Sequence, residues 1–477
     1  MKISRREFNV GIASSFIFPF LGCSKSNWIT ASRKIEWTKG KPKVIVVGAG
    51  LSGLMASLCL TEADVDVTLL EKEPRVGGRI YAEPLGGTYV NLGAQYFFKS
   101  DSTYMNRYIK KMKKFSPERG LLGALWDGKF VTAYDEKLFH KLPIERTALE
   151  HLDRAARQMK KARKKLSKGR EFIFDKAPAS QLWFELDNMS ASEYLSNYHP
   201  DVTNLYNTFL TPEGGVGASK TSALLLVGWY GGPENETYLI EGGNQKLTEA
   251  IAEDIIKLGG RLYLSTEITE VIHTDSGVKV HGCEGNSFEA EYVIVTTPTT
   301  VARKILKDIA PEKRDALEAV KYGASMQVGL HLSNFHSDKR IKSCFFHNEK
   351  VNAYMDQTKE YKDNETVISL NIAGEEPHML DDDGIIKRVS APLKKIYPDF
   401  DPKQSILDYK IKKWTDGIAL YPSGLLTKFQ EKLREPSGKI YFGGDYTHNP
   451  ALDGAAWSGV RAANQVLNAL RDSQNVE

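Results

Sequence analysis

Short unbroken apolar runs punctuate an otherwise mixed chain: Val44-Ile-Val-Val47, Val293-Ile-Val295 and Ile440-Tyr-Phe442, with Val67-Thr-Leu-Leu70 close behind the first. Runs of this length, bounded by glycine, acid or threonine, predict strands buried on both faces, as in a parallel sheet. A helical stretch opens at Leu51, so the order up to about residue 100 is strand, helix, strand, the start of a doubly wound α/β fold. Leu247 to Leu258 keeps a helical period with one apolar face. Residues 101–225 are richer in helical pattern, and residues 300–410 alternate strands with helices. Asp416-Gly417 marks a turn, and a last helix starts near Asp453. The chain shows no internal repeat and no low-complexity tract.

The chemistry begins at the first turn, Gly48-Ala-Gly50-Leu-Ser52-Gly53. Gly48 permits a tight turn out of the strand, Gly50 lets backbone approach a pyrophosphate, and Gly53 lets the helix pack close to the sheet. Ser52 sits in the first helical turn, where unpaired N–H groups and a partial positive charge meet phosphate. Glu71 ends the second strand about twenty residues further on, where a carboxylate can accept hydrogen bonds from a ribose diol. Strand, glycine turn, helix and acid in register predict an adenine dinucleotide site. A second glycine pair and an arginine follow in Glu71-Lys-Glu-Pro-Arg-Val-Gly-Gly78-Arg79. Backbone can run against a ligand there, and a guanidinium can pair with phosphate. At the far end, Lys439-Ile-Tyr-Phe-Gly-Gly444-Asp445 is a strand closed by glycines and an acid, and Asp453-Gly454-Ala455 opens the last helix.

These motifs resemble the flavin-containing amine oxidase family, whose FAD site uses a GGR turn after the ribose acid. The resemblance spans roughly residues 43–470 and implies a Rossmann-type FAD-binding domain interleaved with an α+β substrate-binding domain. It implies that Gly444 and Asp445 contact the phosphate and ribityl part of FAD. It also directs the helix start at Gly454 and Ala455 toward the flavin ring. Leu92-Gly93-Ala94-Gln-Tyr96 resembles the loop that passes the ring, and Thr269-Glu-Val271 the segment that meets adenine through backbone. The implied divisions are 42–100, 226–300 and 411–477 for FAD and 101–225 and 301–410 for substrate, after a leader at 1–23 and a linker at 24–41.

The implied reaction removes two electrons from a carbon next to nitrogen by hydride transfer to flavin, giving an imine that hydrolyses. Three departures from the family stand out. Registering Tyr322-Gly-Ala-Ser-Met-Gln327 against the family's "YG" segment puts Gln327 where a lysine holds water near the flavin; a register slip would bring Lys321 there instead. Ala451 and Gly417 stand where monoamine oxidases have two aromatic walls. Asp416 falls near the cysteine that tethers flavin in some members, so FAD is expected to be held noncovalently. Trp414 matches a family tryptophan beside the ring, and Gln95, Tyr96 and Phe97 are candidates to face substrate. Trp457 either shapes the pocket or packs behind it. With Gln327 in the lysine's place, the electron acceptor is open between oxygen, a cytochrome and a quinone. A desaturase-type or porphyrinogen-oxidase-type enzyme on a larger apolar substrate is the alternative activity, and a non-enzymatic flavoprotein the alternative class.

The N-terminus carries Ser4-Arg5-Arg6-Glu7-Phe8 and an apolar run from Val10 to Gly22 broken by Pro19, too short to span a bilayer. It fits a twin-arginine export signal, which implies the twin-arginine translocase as partner and a periplasmic destination. Phe20-Leu-Gly-Cys23 resembles a lipobox; Cys23 would then carry lipid, with plain cleavage or an uncleaved anchor as alternatives. Composition is that of a globular protein, with 41% apolar and 26% charged residues and a net charge of +4, which gives no reason to expect nucleic acid. Four cysteines, one of them in the export segment, do not build a disulfide framework, and no metal-ligand spacing occurs. Cys59 is expected to pack as a small hydrophobe. The basic stretch His151–Glu171 is expected to be a solvated helix face, with contact to anionic lipid beside a lipidated N-terminus as the alternative.

Overall fold

The computed structural model describes residues 35–477, apart from 39, 99–103, 116–119, 169–172, 179, 233–236, 334–339, 360–364 and 476–477. The leader and Cys23 lie outside the described residues. The apolar runs form a five-stranded parallel sheet in the order Arg261–Tyr263, Asp66–Leu70, Lys43–Val47, Tyr292–Val295, Ile440–Phe442. Three widely separated segments thus build one sheet. One face is covered by the helices Leu51–Glu62, Lys246–Lys257 and Leu452–Asn475. The antiparallel ribbon Ile268–His273, Val278–Gly282 and Ser287–Ala290 packs on the other.

The second sheet has seven strands in the order Ile406–Ala419, Tyr322–Leu332, Thr366–Ala373, Ala353–Asp356, Ile341–His347, Leu121–Trp126, Lys129–Ala133. The last two come from a stretch expected to be helical; their apolar runs are too short to be told from buried helix by pattern alone. In Tyr322–Leu332 the pleat sorts side chains by parity. Met326, Val328 and Leu330 pack toward the helix Asp382–Ile396. Ser325 and Gln327 face a cleft, and further along a Cβ on Gly329 would meet Val90 and Leu85. A helical lobe, Arg146–Leu166 through Ala223–Tyr230, closes the far side of that cleft.

Packing moves the implied divisions. Phe97, Met105, Tyr108 and Ile109 join the core of the parallel sheet, so the first segment packed on that sheet runs past residue 100. Ala223–Tyr230 packs with the helical lobe, and the return to the core of the parallel sheet comes with the strand Thr237–Ile240. The strand Ile406–Ala419 carries the seven-stranded sheet past residue 410. Arg146–Leu166 is the basic helix, with Arg154, Arg157, Lys160, Lys161, Lys164 and Lys165 exposed. Arg163 is the exception: it turns inward and donates to the Gly228 carbonyl.

Candidate active site

A continuous cleft of about 640 Å³ runs from the carboxyl ends of the parallel strands to the face of the seven-stranded sheet. At its nucleotide end Gly48 holds φ +102°, a left-handed turn that a side chain would strain. A Cβ on Gly53 would stand 1.9 Å from the Gly48 carbonyl oxygen, so only glycine lets this helix approach the strand so closely. The helix start has no side-chain cap, so its first N–H groups face the cleft without an intrahelical partner. Glu71 is buried, and both of its oxygens are engaged: Oε2 accepts from Ala49 N–H at 2.7 Å and Oε1 from Glu73 N–H at 2.9 Å. The acid therefore pins the glycine turn and still lines the cleft with its remaining lone pairs. Gly78 faces Gly50 across the second glycine turn.

Arg79 joins the distant segments. Its Nη2 donates to Asp445 Oδ1 at 2.8 Å and its Nη1 to the Gly417 carbonyl at 3.0 Å. Burial pulls its pKa down, but Asp445 alongside more than offsets this and holds it above the usual value. Ser458 Oγ lies 2.9 Å from Ser52 Oγ and accepts from Gly444 N–H, closing the first helix on the last.

On the sheet wall, Trp414 donates from Nε1 to the Leu92 carbonyl at 2.7 Å and meets Tyr81 edge-on. Three cross-strand neighbours form one polar row facing the cleft: Lys412, Gln327 and Asn371. The Lys412 ammonium sits 4.9 Å from the Trp414 ring centre and 5.1 Å from that of Tyr81. Gln327 Oε1 and Asn371 Oδ1 are buried with no hydrogen-bond partner. An orphaned buried acceptor costs about 1–3 kcal/mol, so the pair awaits N–H donors from a ligand or water.

Gly48, Gly50, Ser52, Glu71, Gly78, Arg79, Gly93, Ala94, Gly444, Asp445 and Ala455 line the cleft, as do Gln327 and Trp414. Three expected residues do not. Gly53 serves packing alone. Gly454 is pressed against Asn449, where a Cβ would come within 2.2 Å of the carbonyl oxygen. Val271 is turned into the core and bridges Leu306; Thr266, Glu267 and Ile268 form the wall at that place. Gln95 and Tyr96 reach the cleft, whereas Phe97 is fully buried and stacks on Tyr238. Ala451, Gly417 and Asp416 line it too. Trp457 packs behind, against His448 and Arg434. Lys321 is exposed before the strand begins, which leaves Gln327 on the wall. Cys59 lies on the first helix, partly buried, and burial pushes its thiol up to about 12.

The sequence reading missed Lys412, Asn371 and Glu213. Lys412 was accessible by alternation, since it stands two residues from Trp414 on one strand. Asn371 depends on strand pairing and Glu213 on tertiary packing, and neither carries a local motif.

The model of the family described as flavin containing amine oxidoreductase matches residues 51–467. The chain belongs to this family. It is an FAD-dependent enzyme of the amine-oxidising class, and the glycine cradle, Glu71 and the Arg79–Asp445 bridge fit FAD. Among the described residues that line the cleft there is no cysteine or histidine. It is 24% identical to dog amine oxidase [flavin-containing] A, over 90% of this chain and 85% of that one. It is 23% identical to an L-amino-acid oxidase of Sistrurus catenatus edwardsii, over 94% and 91%. Among solved structures it resembles putrescine oxidase bound to putrescine, with a TM-score of 0.75 and 22% identity, covering 90% of this chain and 99% of that one. It also resembles cyclohexylamine oxidase from Brevibacterium oxydans IH-35A, with a TM-score of 0.75 and 19% identity over 90% and 100%.

Proposed function

We propose that this enzyme oxidises the C–N bond of an amine to an imine, which water then hydrolyses. The observation that carries the reading is the pair of orphaned acceptors, Gln327 Oε1 and Asn371 Oδ1, on the wall of the cleft. An amine brings N–H donors that satisfy them; a wholly apolar substrate leaves them unpaired. When bound, FAD supplies the two-electron acceptor. The chain's own residues orient and exclude: the acceptors fix the nitrogen, Trp414 and Tyr81 give an apolar edge, and the Lys412 charge favours the neutral amine over its ammonium form. The small side chains Ala451 and Gly417 favour the second reading, a larger apolar substrate, but the polar row opposes it. Gln327 brings no charge, which favours a cytochrome or quinone over oxygen as acceptor. Anaerobic mixing with a panel of amines, amino acids and polyamines, followed by oxygen, tests both points. Bleaching by an amine supports the reading, and a flavin that no C–N substrate reduces sinks it.

The proposal extends to location. The twin-arginine pattern at Arg5-Arg6 supports export to the periplasm with cofactor already loaded, and the lipobox-like Phe20–Cys23 supports a lipid anchor. Fractionation of cells carrying Arg5→Lys with Arg6→Lys, and of cells carrying Cys23→Ser, checks each. Export that survives the double lysine change refutes the first, and unaltered membrane retention of Cys23→Ser the second.

A further inference from the structure

The helix Pro200–Gly214 ends at the same cleft that the polar row lines, and brings Glu213 to it. Its Oε2 accepts from the Tyr230 hydroxyl at 2.7 Å. Its Oε1 is out of contact with solvent and has no hydrogen-bond partner. Burial pushes this carboxyl up to about 8, against the Tyr230 and Tyr96 hydroxyls, which favour the charged form. Among the described residues no lysine, arginine or histidine makes an ion pair with it, and none lies next to it to offset the lost hydration. On the sheet wall Lys412 has no carboxylate within ion-pair distance among the described residues. A carboxyl that has lost water and gained no cation is costly unless a ligand restores the charge balance.

We infer that Glu213 is a subsite for a second, cationic group on the substrate, so that the preferred amines are diamines rather than monoamines. The inference rests on the amine-oxidising reading and names its substrate class. The walls differ in sign. Lys412 disfavours an ammonium beside Trp414 and Gln327, where the reacting nitrogen must be neutral to give up electrons. Glu213 favours an ammonium at the helix wall. A chain with amines at both ends satisfies the two together and is fixed in one direction.

The test compares 1,6-diaminohexane with hexylamine in anaerobic flavin reduction, using the FAD-loaded full chain and its Glu213→Gln variant. The apparent second-order rate constant for the wild type should favour the diamine, and Glu213→Gln should collapse the diamine-to-monoamine ratio by about thirtyfold, as for a lost charge-assisted bond. Tyr230→Phe, which keeps the carboxyl, should lower the ratio by a smaller factor and serves if Glu213→Gln fails to fold. A ratio unchanged by both variants, or a wild type that prefers hexylamine, overturns the inference. If no amine bleaches the flavin, amine oxidation itself fails. The perturbation of the flavin spectrum on titrating the two compounds then still decides the subsite: equal affinities for them refute it.

Discussion

Arg79 ties its own glycine turn to the Gly417 backbone and to Asp445, and its removal has a calculable signature. Arg79→Met deletes the bond to Asp445 and the bond to the Gly417 carbonyl. The Asp445 side chain is 8% exposed and that of Arg79 34%. Breaking a fully buried pair costs about 3–5 kcal/mol because the remaining charge is stranded. A guanidinium one-third open to the cleft reduces this through solvent screening, to about 2–3 kcal/mol in the cofactor-free protein. FAD excludes water from that side and moves the pair toward the buried limit. The loss should therefore grow by about 1–2 kcal/mol in the loaded enzyme, a roughly ten- to thirtyfold weaker Kd for FAD. Arg79→Lys can hold one of the two acceptors but not both, so it should fall between wild type and Arg79→Met. Urea titrations followed by circular dichroism, with and without FAD, and flavin fluorescence titrations measure both terms. In a double-mutant cycle with Asp445→Asn the second change should cost less than alone. Equal destabilisation with and without FAD, at unchanged Kd, would falsify the bridging role.

Gly53→Ala should abolish FAD retention, since its Cβ would fall 1.9 Å from backbone oxygen; the absorbance ratio of purified protein reads this directly. Glu71→Ala strands the Ala49 and Glu73 N–H groups as well as any ribose contact, so FAD affinity and stability should fall together, by about 2–4 kcal/mol in urea. Asn371→Leu removes one orphaned acceptor; it should stabilise the unliganded protein slightly while slowing flavin reduction by amines roughly tenfold, as seen by stopped flow. Glu213 gives a pH signature. Its carboxyl is raised from 4.5 to about 8 in the folded state, so the native protein binds the extra proton between those values. Its contribution to stability is complete below about pH 4.5 and is lost as pH rises through 8. Unliganded Glu213→Gln should lack that decline; parallel melting-temperature profiles for the two proteins would refute it.

How much of this was legible beforehand depends on the range of the determining interaction. The nucleotide end is a local device: turn, helix start and acid lie within one strand–helix–strand unit, and the pattern Gly48 to Glu71 fixes their arrangement. The far motif, Gly444-Asp445, was readable for the same reason, although its partner Arg79 lies 366 residues away. Val271 lies off the cleft wall, because a motif names a strand without saying which of its residues face outward. The wall there is Thr266 to Ile268, a few residues earlier. Gln327 faces the cleft because parity in a strand is unforgiving: a one-residue slip would bring Met326 there and put Gln327 against the apolar helix Asp382–Ile396. The same parity places Asn371 and Lys412 once pairing is known, but pairing between strands some forty to eighty residues apart leaves no local trace. Glu213 depends on still less, a helix end packed against a sheet from another segment. The reaction class is thus written in contiguous residues, and the selectivity in side chains that only tertiary folding brings together. Relatives sharing the motifs can therefore differ in substrate without any motif changing, and replacing Lys412 or Glu213 should alter which amines are oxidised before it alters whether FAD is bound.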